Sequence, residues 1–138
     1  MAQEYIDTSA LIALSDSSDA NHVRAVQHLR DSLASGIRFT LGKPVLIKFI
    51  DGVTKRVGKD KAVRELATIL ESKVVTVVFE TGSDWANALS CFCKHKDRRV
   101  DLTDALSFSL MERMRIGTAF TFDSDFAAHG FTIAPGEE

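Results

Sequence analysis

The sequence has little cysteine, no long apolar run and no excess of basic charge. Its two cysteines, Cys91 and Cys93, cannot build a disulfide framework, and such scarcity is typical of proteins from a reducing compartment. No apolar stretch approaches the roughly 20 residues that a membrane-spanning helix needs, and the first residues lack the basic and apolar regions of a signal peptide. The formal net charge of −2 argues against a wholly basic nucleic-acid binder but leaves room for an acidic site beside a local basic patch. We therefore expect a cytoplasmic protein without a membrane segment.

The remaining composition is that of a globular α/β protein. The chain has 138 residues, 45% of them apolar, which is enough for a hydrophobic core, and we expect one domain over residues 1–138. Short apolar runs alternate with segments of helical periodicity, an arrangement typical of a parallel sheet covered by helices on both faces. Residues 74–79 form an almost wholly apolar, β-branched run, which predicts a strand buried on both faces.

Three aspartates occupy comparable positions in this pattern. Asp7 and Asp123 each end an apolar strand, and Asp104 lies in the first turn of a predicted helix. Since ligands of open parallel sheets bind outside the carboxyl ends of the strands, Asp7 and Asp123 would share a crevice, with the hydroxyls of Thr8 and Ser9 beside Asp7. Carboxylates this close repel one another unless a cation joins them, and hard oxygen ligands suit Mg²⁺ or Mn²⁺. Alternatively, each aspartate only caps or supports its helix, and for Asp7 the sequence does not separate the two interpretations.

Three segments around these aspartates resemble, in order and spacing, the signature segments of PIN-domain nucleases. They are YIDTSA at 5–10, LTDALSF at 102–108 and FTFDSDF at 120–126. The VapC-type toxin ribonucleases are the most similar branch, and the resemblance covers essentially the whole chain. It implies a three-layer α/β/α sandwich with a central parallel sheet, Mg²⁺ or Mn²⁺ held by clustered carboxylates, and hydrolysis of RNA by metal-activated water.

The resemblance also implies roles for individual residues. Asp7, Asp104 and Asp123 match the metal-binding aspartates of the family, and Asp125 falls where a second acidic residue supports them in catalysis. Thr121 matches a hydroxyl residue that orients the cluster. The family pattern further implies a homodimer and a small antitoxin that covers the site.

One position departs from the family pattern. Lys48, in the helix after the second strand, stands where these nucleases have a glutamate. An ammonium there would pair with Asp7 or Asp104 and take the place of the cation electrostatically, and Asp51, one turn further along, is a candidate for partial compensation. We therefore expect cleavage that is weak or lost. The alternative is a catalytically inactive PIN domain that binds RNA or an antitoxin without cutting.

A basic stretch leads into the helix that carries Asp104. Its residues are Lys94, Lys96, Arg98 and Arg99. A run of charge is often only a solvated surface, but beside a metal crevice it equally suits the phosphates of RNA. Both interpretations remain open, and the RNA sequence that is cut cannot be read from the chain, because RNA recognition depends on loop shape and exposed bases.

Overall fold

A computed structural model describes residues 2–94 and 99–136. Five strands form one wholly parallel sheet, whose order is β3-β2-β1-β4-β5. The strands are β1 (Gln3–Ile6), β2 (Arg38–Gly42), β3 (Val75–Val78), β4 (Thr118–Phe120) and β5 (Thr132–Ala134). The helices are α1 (Thr8–Ser15), α2 (His22–Ala34), α3 (Lys43–Arg56), α4 (Lys59–Glu71), α5 (Gly82–Lys94), α6 (Leu102–Met114) and α7 (Asp125–Ala128). The predicted α/β/α fold with a central parallel sheet is confirmed. None of the helices in these ranges is long and apolar enough to span a membrane.

The sheet order brings the ends of β1 and β4 together. Tyr5 pairs with Ala119 and Ile6 with Phe120, and the Asp7 N–H then donates to the Phe120 carbonyl at 3.0 Å. β1 has β2 on one side and β4 on the other, so the chain leaves the sheet in two directions at this point. Such a switch point is where α/β sheets bind their ligands.

A buried tyrosine fastens α6 against β1. The Tyr5 hydroxyl donates to Ser107 Oγ at 2.9 Å, and the ring is completely buried. A side chain at Gly42 would collide with this hydroxyl and with Leu110, so the end of β2 requires glycine for the close approach. These contacts of Ser107 and Leu110 hold α6 against the ends of β1 and β2.

The structure differs from the sequence prediction in two local features. β3 is an edge strand whose valines are only partly buried and whose Thr76 is exposed, because β2 is its one neighbouring strand. The prediction that residues 74–79 form a strand buried on both faces is therefore wrong. β4 ends at Phe120, so Asp123 lies in the loop after the strand and not at its last residue. Asp125 begins the short helix α7.

Candidate functional site

A crevice of about 400 Å³ opens at the carboxyl edge of β1 and β4, beside the first turn of α6. Its lining residues are Asp7, Thr8, Ser9, Ile12, Lys48, Arg99, Asp101, Asp104, Asp123 and Asp125. The lining contains five aspartates and two cationic side chains, so its charge is predominantly negative. The four aspartates selected from the sequence, Asp7, Asp104, Asp123 and Asp125, are thus brought together in one place.

Three of these aspartates form a tight carboxylate cluster. Asp104, Asp123 and Asp125 each present one oxygen, and the three oxygens lie within 4.8 Å of one another. Asp104 is buried in the first turn of α6, whereas Asp123 and Asp125 are half-buried. The Asp125 N–H donates to Asp123 Oδ1 at 2.9 Å, which fixes the turn between the two acids. We call Asp104, Asp123 and Asp125 the carboxylate cluster.

Asp7 lies beside the cluster in a network of hydroxyl groups. Its Oδ2 accepts hydrogen bonds from Ser9 Oγ at 3.1 Å and from Thr121 Oγ1 at 3.0 Å. Ser9 Oγ also accepts the Phe122 N–H at 2.9 Å, and Thr121 Oγ1 accepts the Asp123 N–H at 3.0 Å. The same two hydroxyls therefore fix the Asp7 carboxylate and the backbone of the loop that carries Asp123. The Thr8 hydroxyl is buried and has no hydrogen-bond partner among the described residues.

Helix capping accounts for Asp101 but not for Asp7. Asp7 precedes α1, yet its side chain makes no capping hydrogen bond. Asp101 is the N-cap of α6, since its Oδ1 accepts the Asp104 N–H at 2.8 Å. Asp104 lies in the first turn, where a carboxylate complements the helix dipole. The capping interpretation of Asp7 is therefore wrong, and capping does not explain why its carboxylate is buried.

Burial and neighbouring acids raise the pKa of two of these carboxyl groups. Burial is the main cause for Asp7, and the charge of Asp123 adds to it, although hydrogen bonds lower the pKa in part. For Asp104, burial and then the charges of Asp101, Asp7 and Asp123 raise the pKa to about 7, while Lys48 opposes this rise. Without a divalent cation the site thus retains protons that a bound cation would displace.

The raised pKa of Asp104 predicts how the stability of the metal-free protein depends on pH. The pKa of this carboxyl is about 7 in the folded protein and 3.8 when the group is free in water, so between these values the folded state binds more protons. The free energy of unfolding must therefore fall as the pH rises through this window, by roughly 1 to 3 kcal/mol once solvent screening of this partly accessible carboxyl is taken into account. We expect urea denaturation in chelator to show this fall between pH 4 and pH 8, as an approximate window. Asp104→Asn should reduce the change in the free energy of unfolding with pH. An equal pH dependence in this variant and in the unsubstituted protein would contradict the raised pKa of Asp104.

Lys48 lies at the rim of the crevice and pairs with Asp101. Its Nζ donates to Asp101 Oδ2 at 2.7 Å, and the two side chains are 45% and 50% exposed. Partial burial disfavours the ammonium, but the hydrogen bond and charge of Asp101, with the charges of Asp104 and Asp7, outweigh this and raise the pKa of Lys48. The sequence predicted that Lys48 would pair with Asp7 or Asp104. That prediction is wrong, because the direct partner of Lys48 is Asp101. Asp51 is exposed and lies outside the described lining of the crevice, so its predicted compensation is not seen.

The basic stretch is only partly placed at the site. Arg99 lines the crevice. Lys94 is exposed at the end of α5 and lines a separate cavity with Glu112 and His129. Lys96 and Arg98 lie outside the described residues. Arg99 is thus the described member of the stretch that the fold brings to the carboxylates.

The roles of two side chains in this crevice are not evident from the sequence. Asp101 joins α3 to α6 through Lys48, and Ser9 bonds both the carboxylate of Asp7 and the loop after β4. The Asp101-x-x-Asp104 spacing does indicate an N-cap. The spacing of positions 48 and 101 carries no signal, because the two residues come from different helices and meet only in the folded chain.

The donor set fits a hard divalent cation. Carboxylate oxygens from three residues converge, and Asp7 adds a fourth acidic group at the wall. Mg²⁺ and Mn²⁺ prefer such oxygen ligands, whereas the thiol and imidazole groups typical of zinc sites do not line this crevice in the described part of the chain. The mutual repulsion that raises the pKa of Asp104 is the repulsion that a cation would relieve.

Comparison with known proteins gives the family. The PIN domain model matches residues 5–131 of this chain. The 23S rRNA-specific endonuclease VapC20 of Mycobacterium tuberculosis is 30% identical over 135 residues, covering 92% of this chain and 94% of that protein. The crystal structure of Mycobacterium tuberculosis VapC20, described as a Sarcin-Ricin loop cleaving toxin, has a TM-score of 0.81 at 32% identity and covers 93% of this chain and 95% of its own.

More distant structures share the fold alone. VapBC2 from Rickettsia felis, bound to a DNA fragment from its promoter, has a TM-score of 0.72 at 14% identity and covers 95% of this chain and 96% of its own. VapBC-1 from nontypeable Haemophilus influenzae has a TM-score of 0.68 at 11% identity, with the same coverage. The family model and the VapC20 relative carry the identification, and the aspartates of the crevice lie within the matched range. The chain belongs to the PIN-domain family, in the branch of the VapC-type toxin endoribonucleases.

Proposed function

We propose that this chain is a Mg²⁺- or Mn²⁺-dependent endoribonuclease that acts as the toxin of a toxin–antitoxin pair. The observation that carries the proposal is the convergence of Asp104, Asp123 and Asp125 oxygens within 4.8 Å, beside Asp7, at the carboxyl edge of a parallel sheet. The proposal covers residues 1–138 as one catalytic domain working in the cytoplasm, where its RNA substrate is found.

Each residue of the site has a distinct proposed role. Asp104, Asp123 and Asp125, with Asp7 beside them, would hold the cation. When bound, the cation would supply positive charge opposite the phosphodiester and lower the pKa of a water molecule. Ser9 and Thr121 hold Asp7 in one orientation through hydrogen bonds to its Oδ2, so this carboxylate needs no rearrangement when RNA enters.

Cationic side chains near the crevice are proposed to bind the RNA backbone. Arg99 lines the crevice, and Lys94, Lys96 and Arg98 precede it in the chain. A guanidinium donates to phosphate oxygens in a fixed geometry, which suits Arg99 for positioning the scissile phosphate. These contacts carry affinity and orientation, and the base sequence is read elsewhere.

The relative with the highest identity named above suggests the substrate. VapC20 is described as specific for 23S rRNA and as cleaving the Sarcin-Ricin loop, and we propose ribosomal RNA as the substrate class here. We expect Mn²⁺-dependent cuts in rRNA, mapped by primer extension, that are lost in EDTA and return with excess Mn²⁺. Asp123→Asn prepared in parallel controls for contaminating nucleases. Cleavage that persists in EDTA or in this variant would contradict the proposal.

Lys48 is proposed to attenuate this activity. An ammonium in the lining of the crevice repels a divalent cation, so the metal should bind more weakly than it would beside a neutral residue or a carboxylate. The same observation favours the second candidate, an inactive PIN domain that binds RNA or an antitoxin without cutting. Binding of RNA with no cleavage, even after Lys48→Glu, would favour the second candidate.

An apolar groove offers a place for the antitoxin. A cavity of about 390 Å³ lies between α1, α2, α4 and β3, and its lining includes Leu14, Leu29, Leu33 and Ile69. An amphipathic helix can bury its apolar face in such a groove. We propose that the antitoxin does so and directs a basic side chain toward the crevice aspartates.

The surface of α5 supports the proposed homodimer. Trp85, Leu89 and Phe92 recur at helical spacing and are 44%, 39% and 42% exposed. A stripe of large apolar side chains on a surface helix is typical of a protein contact.

Co-expression with the neighbouring small gene tests both partner assignments. We expect a purified complex that contains two copies of this chain. Thr68→Arg, at an exposed position in the groove lining, should prevent capture of the antitoxin, because a bulky cation would fill the groove. Ala67→Arg, exposed on the same helix but outside that lining, is the matched control and should leave capture unchanged. A lone monomer that captures no partner would contradict this part of the proposal.

A further inference from the structure

Asp101 makes two different contacts at the rim of the carboxylate cluster. Its Oδ1 accepts the Asp104 N–H at 2.8 Å, and its Oδ2 accepts Lys48 Nζ at 2.7 Å. One carboxylate thereby joins the Lys48 side chain, which extends from α3, to the first turn of α6, which carries Asp104. Capping alone requires only the first of these contacts, so the second has to be explained separately.

Lys48 has other acceptors within reach of its charge. Asp7 and Asp104 line the same crevice, and both interact electrostatically with the Lys48 ammonium. A lysine side chain is flexible and carries three donors, so it can move between acceptors. An ammonium released from Asp101 would be drawn to the more negative cluster, where it would take the place of a cation.

We propose that Asp101 is a positioning residue, which holds the Lys48 ammonium at the rim and so leaves the carboxylate cluster open to a divalent cation. The inference rests on the proposed function, since it concerns how the cluster binds its metal. Without Asp101, the Lys48 ammonium would tend to occupy the carboxylate cluster in place of a metal ion. The ion pair with Asp101 limits this occupancy.

The exposure of the pair does not conflict with this role. An ion pair between half-exposed side chains contributes little to folding stability. The role proposed here concerns the distribution of one flexible side chain between two acceptors, and a small difference in free energy is enough to change that distribution several-fold.

Four chains form the test: the protein itself, Asp101→Asn, Lys48→Gln and the double variant. Asparagine caps a helix as well as aspartate does, so Asp101→Asn preserves the start of α6. It removes the negative charge that holds Lys48 and that also acts on Asp104. We expect this substitution to raise the Kd for Mn²⁺, measured by calorimetry, about tenfold in the chain with Lys48. In the Lys48→Gln background the rise should be no more than about threefold, because no ammonium is released there and only the loss of the Asp101 charge beside Asp104 remains. Asp101→Asn should also reduce the Mn²⁺-induced rise in Tm, and this reduction should be larger in the chain with Lys48 than in the Lys48→Gln background.

A second lysine–carboxylate pair on α3 provides the matched control. Lys43 Nζ lies 2.9 Å from Glu80 Oε1, and neither residue lines the crevice. Glu80→Gln should therefore leave the Kd for Mn²⁺ unchanged.

The outcomes separate this inference from the function on which it rests. Equal fold-changes for Asp101→Asn in both backgrounds would overturn the positioning role, because Asp101 would then act as a ligand or as a simple local charge. Failure of all four chains to bind Mn²⁺ would overturn the proposed function, and the positioning role with it.

Discussion

Asp104→Asn is expected to weaken Mn²⁺ binding and RNA cleavage together, each by at least about 100-fold. The substitution replaces one of three carboxylates whose oxygens converge within 4.8 Å with a neutral amide, and it does so at the most buried of the three residues. The amide has nearly the same size, so the packing at the start of α6 is preserved. Binding is read by calorimetry and cleavage with a fluorogenic RNA.

The same substitution should stabilise the metal-free protein at pH 8. At that pH the Asp104 carboxyl, whose pKa is about 7, is largely ionised and repelled by its neighbours, and an amide removes this repulsion. Loss of activity with increased stability distinguishes a missing ligand from a misfolded variant. Asp60→Asn, an exposed change of the same kind in the first turn of α4, should leave Mn²⁺ affinity and cleavage unchanged and should not stabilise the protein, because its carboxylate complements the helix dipole. Retained Mn²⁺ affinity in Asp104→Asn would contradict the metal assignment.

Lys48→Glu is expected to tighten Mn²⁺ binding and to raise cleavage by about tenfold to 100-fold. The substitution replaces a positive charge in the crevice lining with a carboxylate, which attracts the cation that the ammonium repels. The repulsion between two unit charges near 4 Å at an intermediate dielectric is about 4 kcal/mol. The pairing of Lys48 with Asp101 reduces the effective repulsion, and the expected gain is smaller for that reason.

Two controls separate the components of this effect. Lys48→Gln removes the ammonium without adding a ligand, so it should give a smaller gain than Lys48→Glu. Lys55→Glu makes the same charge reversal at an exposed position of α3 outside the crevice lining, and it should change cleavage little. Equal cleavage by the protein and by Lys48→Glu would show that position 48 does not influence the site.

The fold was predictable because its signals are local. Apolar runs separated by segments of helical period indicate alternating strands and helices, and the start of α3 at Lys43-Pro44 follows from the fixed backbone of proline. The exposure of Thr76 was not predictable, because an apolar run does not reveal whether its strand has one neighbour or two. The four-residue helix α7 is likewise too short to carry a periodic signal.

The site was predictable in its acids and not in its contacts. The segments around Asp7, Asp104 and Asp123 carry the family resemblance, and parallel strands bring their carboxyl ends to one edge. The ion pair of Lys48 and Asp101 depends on the distance between α3 and α6 and on the rotamers of a flexible side chain. Neither quantity is encoded in periodicity or in a motif, so the ion pair could be identified only from the folded structure.

The most direct test of the metal centre is the anomalous scattering of Mn²⁺ in crystals of this protein. We expect an anomalous peak within coordination distance, about 2.2 Å, of oxygens from Asp104 and Asp123, with Asp125 and Asp7 around it. The same soak of Asp104→Asn crystals should leave that position empty. A peak elsewhere, or none in the crevice at saturating Mn²⁺, would contradict the assignment of these aspartates as the metal site.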